Sequence, residues 1–180
     1  MRKLEVGSGH RPMPGYEHCD IDGDCPDLQY RCDMTRIPVP DCWFDEVRAV
    51  HCIEHVSIQR AREALLEWRR ILVPGGLVYI DTPNIERTLQ MYRDQSWIKD
   101  FEALTPAERD ACSIHGTPSA ALWINFKIFS VGNLFNLHYW NATPALLQQL
   151  LVRAGFESFV IIAESPSLIC TAKKSLVAYT

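Results

Sequence analysis

The chain has 180 residues, of which 47% are hydrophobic and 22% are charged, and its formal net charge is -4. This length fits a single domain with its own core, and the composition excludes a disordered chain. The acidic balance argues against a nucleic-acid partner, because phosphate binding is built from clustered Lys and Arg side chains.

Cysteine usage and the lengths of the apolar stretches exclude further classes of protein. The seven cysteines are odd in number and form no CxxC pair, which suits the reducing cytoplasm better than a disulfide framework. The N-terminus lacks the pattern of a signal peptide, and no apolar stretch reaches the length of a membrane span. Cys19, Cys25 and Cys32, with His10 and His18 nearby, match no common zinc-binding spacing, so we predict no metal site.

The first half of the chain alternates short apolar strands with one clear helix. The predicted strands are 4–6, 17–21, 28–32 and 46–52. Residues 58–72 have apolar positions at helical spacing and end before Pro74-Gly75-Gly76. Residues 76–83 have no polar side chain before Asp81, which is typical of a strand covered on both faces. This pattern indicates a parallel sheet in an α/β fold.

The second half begins with a segment of different character. Residues 85–141 contain a predicted helix over 85–92 and then aromatic-rich, irregular sequence, which we interpret as an insertion covering the substrate site. A helix follows over 143–156, with Thr143 as N-cap and Gly155 at its end. Two apolar strands, 157–164 and 167–174, predict a terminal hairpin. The whole of 1–180 is expected to form one domain.

A glycine turn follows the first strand, in LEVGSGHRPMPGY. In dinucleotide folds such a turn opens a helix that receives a phosphate, but Pro12 and Pro14 prevent that helix here. Asp20 comes only thirteen residues after Gly7, which is too soon for an ordinary helical crossover. A ligand without phosphate, S-adenosylmethionine, fits this pattern, with a carboxylate accepting from its ribose hydroxyls. Asp20 is the first candidate for that contact, and Asp22, on the same face, is the alternative.

Six stretches of the chain resemble one family taken together. They are LEVGSG (4–9), PGYEHCDID (14–22), CDMTRIPVP (32–40), FDEVRAVHCIEHV (44–56), LLEWRRILVPGGLVYIDTPN (65–84) and LLVRAGF (150–156). They resemble the Rossmann-like, class I S-adenosylmethionine-dependent methyltransferases, in particular the small branch with a shortened first crossover. The resemblance implies a three-layer α/β sandwich whose mostly parallel sheet has an antiparallel C-terminal hairpin strand. It also implies S-adenosylmethionine as cofactor and S-adenosylhomocysteine as product.

The resemblance also implies site residues. Residues around the methionyl part would be Glu5, Gly7, Ser8 and Gly9. Asp20 and the adjacent Ile21 would contact the ribose side, Asp33 and Met34 the adenine, and His51 would lie near the sulfonium and the acceptor. Two alternatives stay open: Asp33 can instead cap a turn, and Glu54-His55 fits the start of a helix.

The expected reaction is in-line methyl transfer to a small-molecule or sugar-linked acceptor. A base is needed only for a hydroxyl or a protonated amine, and His51 and His138 compete for that role, while His138 could equally be structural. Aromatic residues either roof the pocket or pack as ordinary core: Trp97, Phe101, Trp123, Phe126, Phe129, Phe135, Tyr139 and Trp140.

Two other functions compete with methyl transfer. One is a non-catalytic S-adenosylmethionine-binding or regulatory module of the same fold. The other is a nicotinamide dehydrogenase, which the broken glycine pattern disfavours. Three alternatives stay open for the cofactor site: 85–141 covers it, a partner subunit covers it in a homo-oligomer, or the site is open and binds weakly.

Overall fold

A seven-stranded mixed sheet forms the centre of the computed structural model, which describes residues 1–114, 117–129 and 137–176. The strands are β1 (Lys3–Val6), β2 (Glu17–Asp20), β3 (Tyr30–Arg31), β4 (Phe44–Val50), β5 (Leu72–Pro83), β6 (Ser113–Ile114), β7 (Thr117–Pro118), β8 (Phe156–Ile162) and β9 (Ser167–Lys174). The sheet order is β3-β2-β1-β4-β5-β9-β8, and β6 and β7 form a separate hairpin. The first five strands are parallel, whereas β9 runs antiparallel to both β5 and β8.

Six α-helices and one 3₁₀ helix surround this sheet in the described part of the chain. They are α1 (Ile58–Ile71), α2 (Ile85–Arg93), α3 (Trp97–Ala103), α4 (Pro106–Ala111), α5 (Ala120–Phe129), α6 (Pro144–Arg153) and the 3₁₀ turn Ile53–His55. Ser57 and Thr143 cap α1 and α6 by accepting hydrogen bonds from backbone N–H groups in the first turn. None of the helices in the described ranges has the length and apolar character needed to cross a membrane.

Two hydrophobic clusters hold these elements together. The main cluster joins the buried faces of the sheet to α1 and α6, with the fully buried Trp68 on α1. A smaller cluster joins α2, α3 and α5 through Met91, Trp97, Phe101 and Trp123. Burying such aromatic side chains stabilises each cluster through the apolar area removed from water.

The α/β fold class predicted from the sequence is confirmed, with local differences. β5 begins at Leu72 rather than at residue 76, because Leu72 already pairs with Phe44 before the register shifts. Within 85–141 we predicted one helix, and the described residues contain four. The α4 helix carries a complete capping box between Thr105 and Glu108, which is a readable helix-start signal that we missed.

Candidate active site

Neighbouring parallel strands bring most of the predicted cofactor residues to one edge of the sheet. Because β1 pairs with both β2 and β4, the residues that follow Val6, Cys19 and Val50 lie side by side. Open α/β sheets bind ligands outside the carboxyl ends of their strands. None of the described residues 7–16 forms a helix between β1 and β2, so backbone amides and side chains line this edge.

The two glycines of the turn have different surroundings. Gly7 has φ +68°, and a Cβ added there would lie 2.4 Å from Sγ of Cys52. Gly9 has φ +55°, and its added Cβ would meet no described atom within 4 Å. From the sequence, both glycines were expected to lie around the methionyl part of the cofactor. The structure instead makes Gly7 a packing requirement, while Gly9 faces open space beside the strand ends.

Asp20 connects the glycine turn to the end of β2. Its Oδ2 accepts a hydrogen bond from Gly9 N at 2.9 Å, and its Oδ1 accepts from Asp22 N at 2.9 Å. A carboxylate oxygen has two lone pairs, so each oxygen can accept one more donor. Ile21 follows with 69% exposure and offers an apolar surface at the same edge. Asp22 makes different contacts, since its Oδ1 accepts from Asp24 N and its Oδ2 lies 3.8 Å from His10 Nε2.

Glu5 and Ser8 lie buried on either side of Gly7. Glu5 is 6% exposed, and its Oε2 accepts a hydrogen bond from Met13 N at 2.6 Å, which fixes the loop after the glycine turn. Arg48 Nε lies 3.4 Å from the other carboxylate oxygen. Ser8 Oγ is buried without a partner among the described residues. An unpartnered buried hydroxyl costs free energy, so it is a natural contact for a polar ligand.

Asp33 and Met34 follow β3 and are fixed against α1. Asp33 Oδ1 accepts from Thr35 N at 2.9 Å and from Thr35 Oγ1 at 2.7 Å, and Oδ2 accepts from Arg60. Burial raises the pKa of Asp33, but the Thr35 hydrogen bonds and the Arg60 charge outweigh it and lower the pKa below its usual value. The turn-capping alternative therefore has its contacts in the structure. Met34 O accepts from Trp68 Nε1 at 3.2 Å.

His51 follows β4 in a left-handed conformation, with φ +46°. Its backbone N–H donates to Asp81 O, and its side chain is 51% exposed. His51 Nδ1 lies 3.3 Å from Oε1 of the fully buried Glu54, whose Oε2 accepts from Thr82 Oγ1 at 3.1 Å. The Glu54 hydrogen bond raises the pKa of His51 against the opposing effect of burial. Burial pushes the pKa of Glu54 up, but the contact with His51 brings it below its usual value.

The two predicted catalytic histidines line one cavity of about 560 Å³. His138 Nδ1 lies 3.2 Å from Ile128 O, and its ring centroid is 5.1 Å from that of His55. Burial lowers the pKa of His138. Further residues on the cavity wall are His55, Thr88, Asp100, Glu108, Lys127 and Ser165.

The sequence analysis assigned none of these further wall residues to the site. Lys127 Nζ and Asp100 Oδ2 form an ion pair at 2.9 Å, between α5 and α3. Neither helix was predicted, so the pair could not be placed. His55 was read as part of a helix start, which it is, but it also faces the cavity.

The aromatic residues of the inserted segment divide between core and cavity. Trp97, Phe101 and Trp123 pack in the smaller cluster, as the core alternative predicts. Phe126 lines the cavity, and Trp140 Nε1 donates to Ile53 O at 3.2 Å. Phe129 and Tyr139 are more than half exposed, and Phe135 lies outside the described residues.

A second depression has a volume of about 690 Å³. It is lined by residues of the loop after β3 and of α1, including Arg31, Arg36, Glu67 and Arg70. None of the predicted site residues lies on its wall. Glu67 and Arg70 bond each other and the loop, so the polar groups of these two side chains are already satisfied within the protein.

An open α/β sheet with a glycine turn and an acidic residue at adjacent strand ends is the arrangement in which dinucleotide-binding folds hold their ligand. The sequence model of a methyltransferase domain matches residues 18–80 of this chain. No curated protein sequence matches the chain.

Solved structures with the same fold extend over nearly the whole chain. An S-adenosylmethionine-dependent methyltransferase from Methanosarcina mazei is 17% identical, with a TM-score of 0.61 over 98% of this chain and 93% of that one. A second, from Thermotoga maritima, is 17% identical, with a TM-score of 0.60 over 97% of this chain and 82% of that one.

The 1,6-didemethyltoxoflavin-N1-methyltransferase of Burkholderia thailandensis, solved with S-adenosylhomocysteine bound, is 14% identical, with a TM-score of 0.58 over 96% of this chain and 70% of that one. At these identities the likeness shows the fold. Together with the domain match, it confirms the resemblance to class I S-adenosylmethionine-dependent methyltransferases and supports the cofactor class predicted from the sequence.

Proposed function

We propose that this chain transfers a methyl group from S-adenosylmethionine to a small-molecule or sugar-linked acceptor held in the cavity beside His51. The observation that carries the cofactor half of this proposal is the open space at Gly9 next to the half-buried carboxylate of Asp20. When bound, the cofactor supplies an electrophilic methyl group on sulfur. The chain's own residues bind the cofactor and the acceptor, orient them and exclude water.

The residues of this edge fit the parts of that cofactor. Asp20 has free lone pairs for two hydroxyl donors, and Ser8 Oγ is a buried hydroxyl still without a partner among the described residues. Ile21 supplies apolar surface next to Asp20. Both oxygens of Glu5 already accept hydrogen bonds, one from Met13 N and one from Arg48. We therefore assign Glu5 to positioning the loop and not to contacting the cofactor.

Asp33 and Met34 are proposed to contact the adenine from the loop after β3. Both lone pairs of Asp33 Oδ1 are used by Thr35, whereas Oδ2 accepts from Arg60 and keeps one lone pair for an exocyclic amine. Met34 presents its side chain while its carbonyl stays bonded to Trp68. In this proposal Asp33 both caps its turn and accepts a hydrogen bond from the adenine amine.

His51 and His138 are proposed to contact the acceptor, with the segment 85–141 covering it. In-line displacement depends chiefly on holding the nucleophile, the methyl carbon and the sulfur in a row. Both histidines line the acceptor cavity, and Phe126 and Lys127 of α5 lie on its wall. The cavity lies next to the end of β4, so an acceptor there would approach the cofactor edge from the His51 side.

Asp20→Asn tests the cofactor half, with Asp22→Asn as the matched control. Asparagine keeps the shape of Asp20 but loses the charge and one acceptor, so S-adenosylhomocysteine affinity should fall by about 10- to 100-fold in titration calorimetry. Asp22→Asn should leave it within about twofold, because that carboxylate bonds Asp24 N instead. Equal affinities in all three proteins would remove the proposed ribose contact.

A thermal-shift comparison separates the competing functions. S-adenosylmethionine and S-adenosylhomocysteine should raise the melting temperature, because a ligand that binds only the native state stabilises it. Stabilisation by NAD alone would contradict the proposal. Cofactor binding without methylation of any acceptor, in a panel read by mass spectrometry, would favour the non-catalytic module.

A further inference from the structure

Three side chains with metal-binding atoms converge beside the acceptor cavity, where His55 and His138 lie on the wall and Glu54 is fully buried. One carboxylate oxygen of Glu54 and one ring nitrogen each of His55 and His138 all lie within 4.8 Å of one another. Glu54 and His55 belong to the 3₁₀ turn after β4, and His138 precedes α6. The fold therefore joins residues more than 80 positions apart into one cluster.

Hydrogen bonds to backbone carbonyls fix the tautomer of both histidines. His55 Nδ1 lies 3.2 Å from Leu137 O, and His138 Nδ1 lies 3.2 Å from Ile128 O. A carbonyl oxygen can only accept, so each Nδ1 carries the proton and each Nε2 keeps a lone pair. Metal-binding histidines characteristically donate their second ring N–H to a carbonyl or carboxylate in this way.

Glu54 is the buried anion of the cluster. Its side chain is 0% exposed, and its two oxygens accept from Thr82 Oγ1 and from His51 Nδ1. Each oxygen keeps one further lone pair. A fully buried carboxylate is costly unless cations or donors surround it, and two neutral imidazoles alone supply no charge.

The other charged groups on the cavity wall leave this position available to a cation. Lys127 is paired with Asp100 at 2.9 Å, and Glu108 adds a negative charge. His51 contacts Glu54 from the solvent side, with its side chain half exposed. The cluster thus faces a cavity whose fixed charges do not repel a divalent ion.

We propose that Glu54, His55 and His138 bind a divalent transition-metal ion, Zn²⁺ or Mn²⁺, with an open coordination position toward the acceptor cavity. Two imidazoles and one carboxylate suit these ions better than Mg²⁺, which prefers oxygen ligands and water. Ligand atoms on bonds of about 2 Å lie about 3.3 Å apart in a tetrahedron, so the cluster contracts by at most about 1.5 Å on binding.

The proposed metal site predicts a class of methyl acceptor, and this consequence rests on the proposed function. A metal ion with an open position binds an oxygen of the acceptor and lowers the pKa of a hydroxyl that it holds. The acceptor is therefore an oxygen donor, such as a hydroxyl next to a second oxygen that can chelate. His138 then contributes as a metal ligand, and His51 remains next to the acceptor.

The test uses the full chain after treatment with a chelator, titrated with ZnCl₂ or MnCl₂ alone. We expect one ion per chain by calorimetry and by elemental mass spectrometry. Glu54→Gln, His55→Asn and His138→Asn should each weaken binding by at least about tenfold. His10→Asn is the matched control, because His10, Asp22 and Cys25 form the other group of such side chains in the described ranges.

The outcomes separate this proposal from the proposed function. Circular dichroism identifies any variant that fails to fold, and the two histidine variants provide independent tests of the same site. Binding that is absent in the wild type, or lost only in His10→Asn, overturns the metal site. S-adenosylhomocysteine titrated into the wild type reports on the cofactor half of the proposed function alone, so a protein that binds the ion but no S-adenosylhomocysteine would fail that proposal and keep the metal site.

Discussion

Gly7 and Gly9 share a positive φ but differ in what lies in front of their Cα atoms. At Gly7 the neighbouring atom is Sγ of Cys52, so the glycine permits the close approach of two parts of the chain. At Gly9 the space is open, while its N–H is bound to Asp20. Two positions of one motif, separated by Ser8, thus serve packing and ligand access separately.

Alanine at each glycine tests this division of roles. Gly7→Ala should lower the free energy of unfolding by about 2–4 kcal/mol, because it adds left-handed strain and overpacking against Cys52. Gly9→Ala should cost about 1–2 kcal/mol from strain alone, yet weaken S-adenosylhomocysteine binding by more than about tenfold. Urea unfolding and calorimetry measure the two effects. Equal losses of stability, with affinity intact in Gly9→Ala, would refute the assignment.

The position of Asp20 at the end of β2, beside the glycine turn, could be predicted from the sequence because it depends on local chain geometry. A strand, a glycine turn and a short crossover leave little choice about where the next strand ends. Glu54 could not be predicted in the same way. Its burial depends on Thr82 at the end of β5, and its clustering with His138 depends on a segment whose helices gave weak signals.

At the scale of elements, α1 supports the loop that follows β3. Glu67 Oε1 accepts from Ile37 N at 2.7 Å, and Arg70 donates to the carbonyls of Ile37 and Val39. Arg70 also donates to both oxygens of Glu67, which aligns the pair. The loop that carries Asp33 and Met34 is thus bonded to the helix over one turn, from Glu67 to Arg70.

Replacing Arg70 with methionine should loosen that loop. Arg70→Met keeps the apolar stem but removes the donors to two backbone carbonyls, so we expect a loss of about 2 kcal/mol in the free energy of unfolding. S-adenosylhomocysteine affinity should fall as well, because the adenine contacts belong to the same loop. Arg62→Met, on the exposed face of α1, is the control and should stay within about 0.5 kcal/mol of the wild type. A similar loss in both variants, measured by urea unfolding, would contradict the role of Arg70.

The helices differ in how far the sequence predicts them, for physical reasons. α1 has a Ser57 cap and a one-sided apolar stripe, so its pattern agrees with its packing. α5 reads AALWINFKIF, which is apolar on nearly every side and gives no such stripe. α3 has only seven residues, too few for a periodic pattern. Tertiary packing rather than local pattern sets these two helices.

The whole molecule has two hydrophobic clusters, each with a fully buried tryptophan. Trp68 lies in the main cluster and donates to Met34 O, whereas Trp123 lies in the smaller cluster and donates to Asp100. The smaller cluster is built from α2, α3, α5 and Cys112, and α2 follows β5 directly after its cap residue Asn84. This arrangement allows the helical part to open without opening the sheet.

Hydrogen exchange on Trp68→Ala and Trp123→Ala tests whether the two clusters open separately. Each change should cost about 3–5 kcal/mol within its own cluster. In Trp123→Ala, amide protection should fall in α3 and α5 and stay unchanged in β4 and β5. In Trp68→Ala it should fall throughout the sheet. Loss of sheet protection in Trp123→Ala would show one cooperative unit.

The position of β9 has a consequence for biosynthesis. Leu77 of β5 pairs with Lys173, so the edge of β5 that faces β9 stays unpaired until a segment almost one hundred residues later has been synthesised. Until then a strand with buried apolar side chains exposes unpaired amides and carbonyls as the nascent chain leaves the ribosome. The sheet cannot be completed before β9 is synthesised. A chain whose synthesis ends before β9 would therefore be prone to self-association.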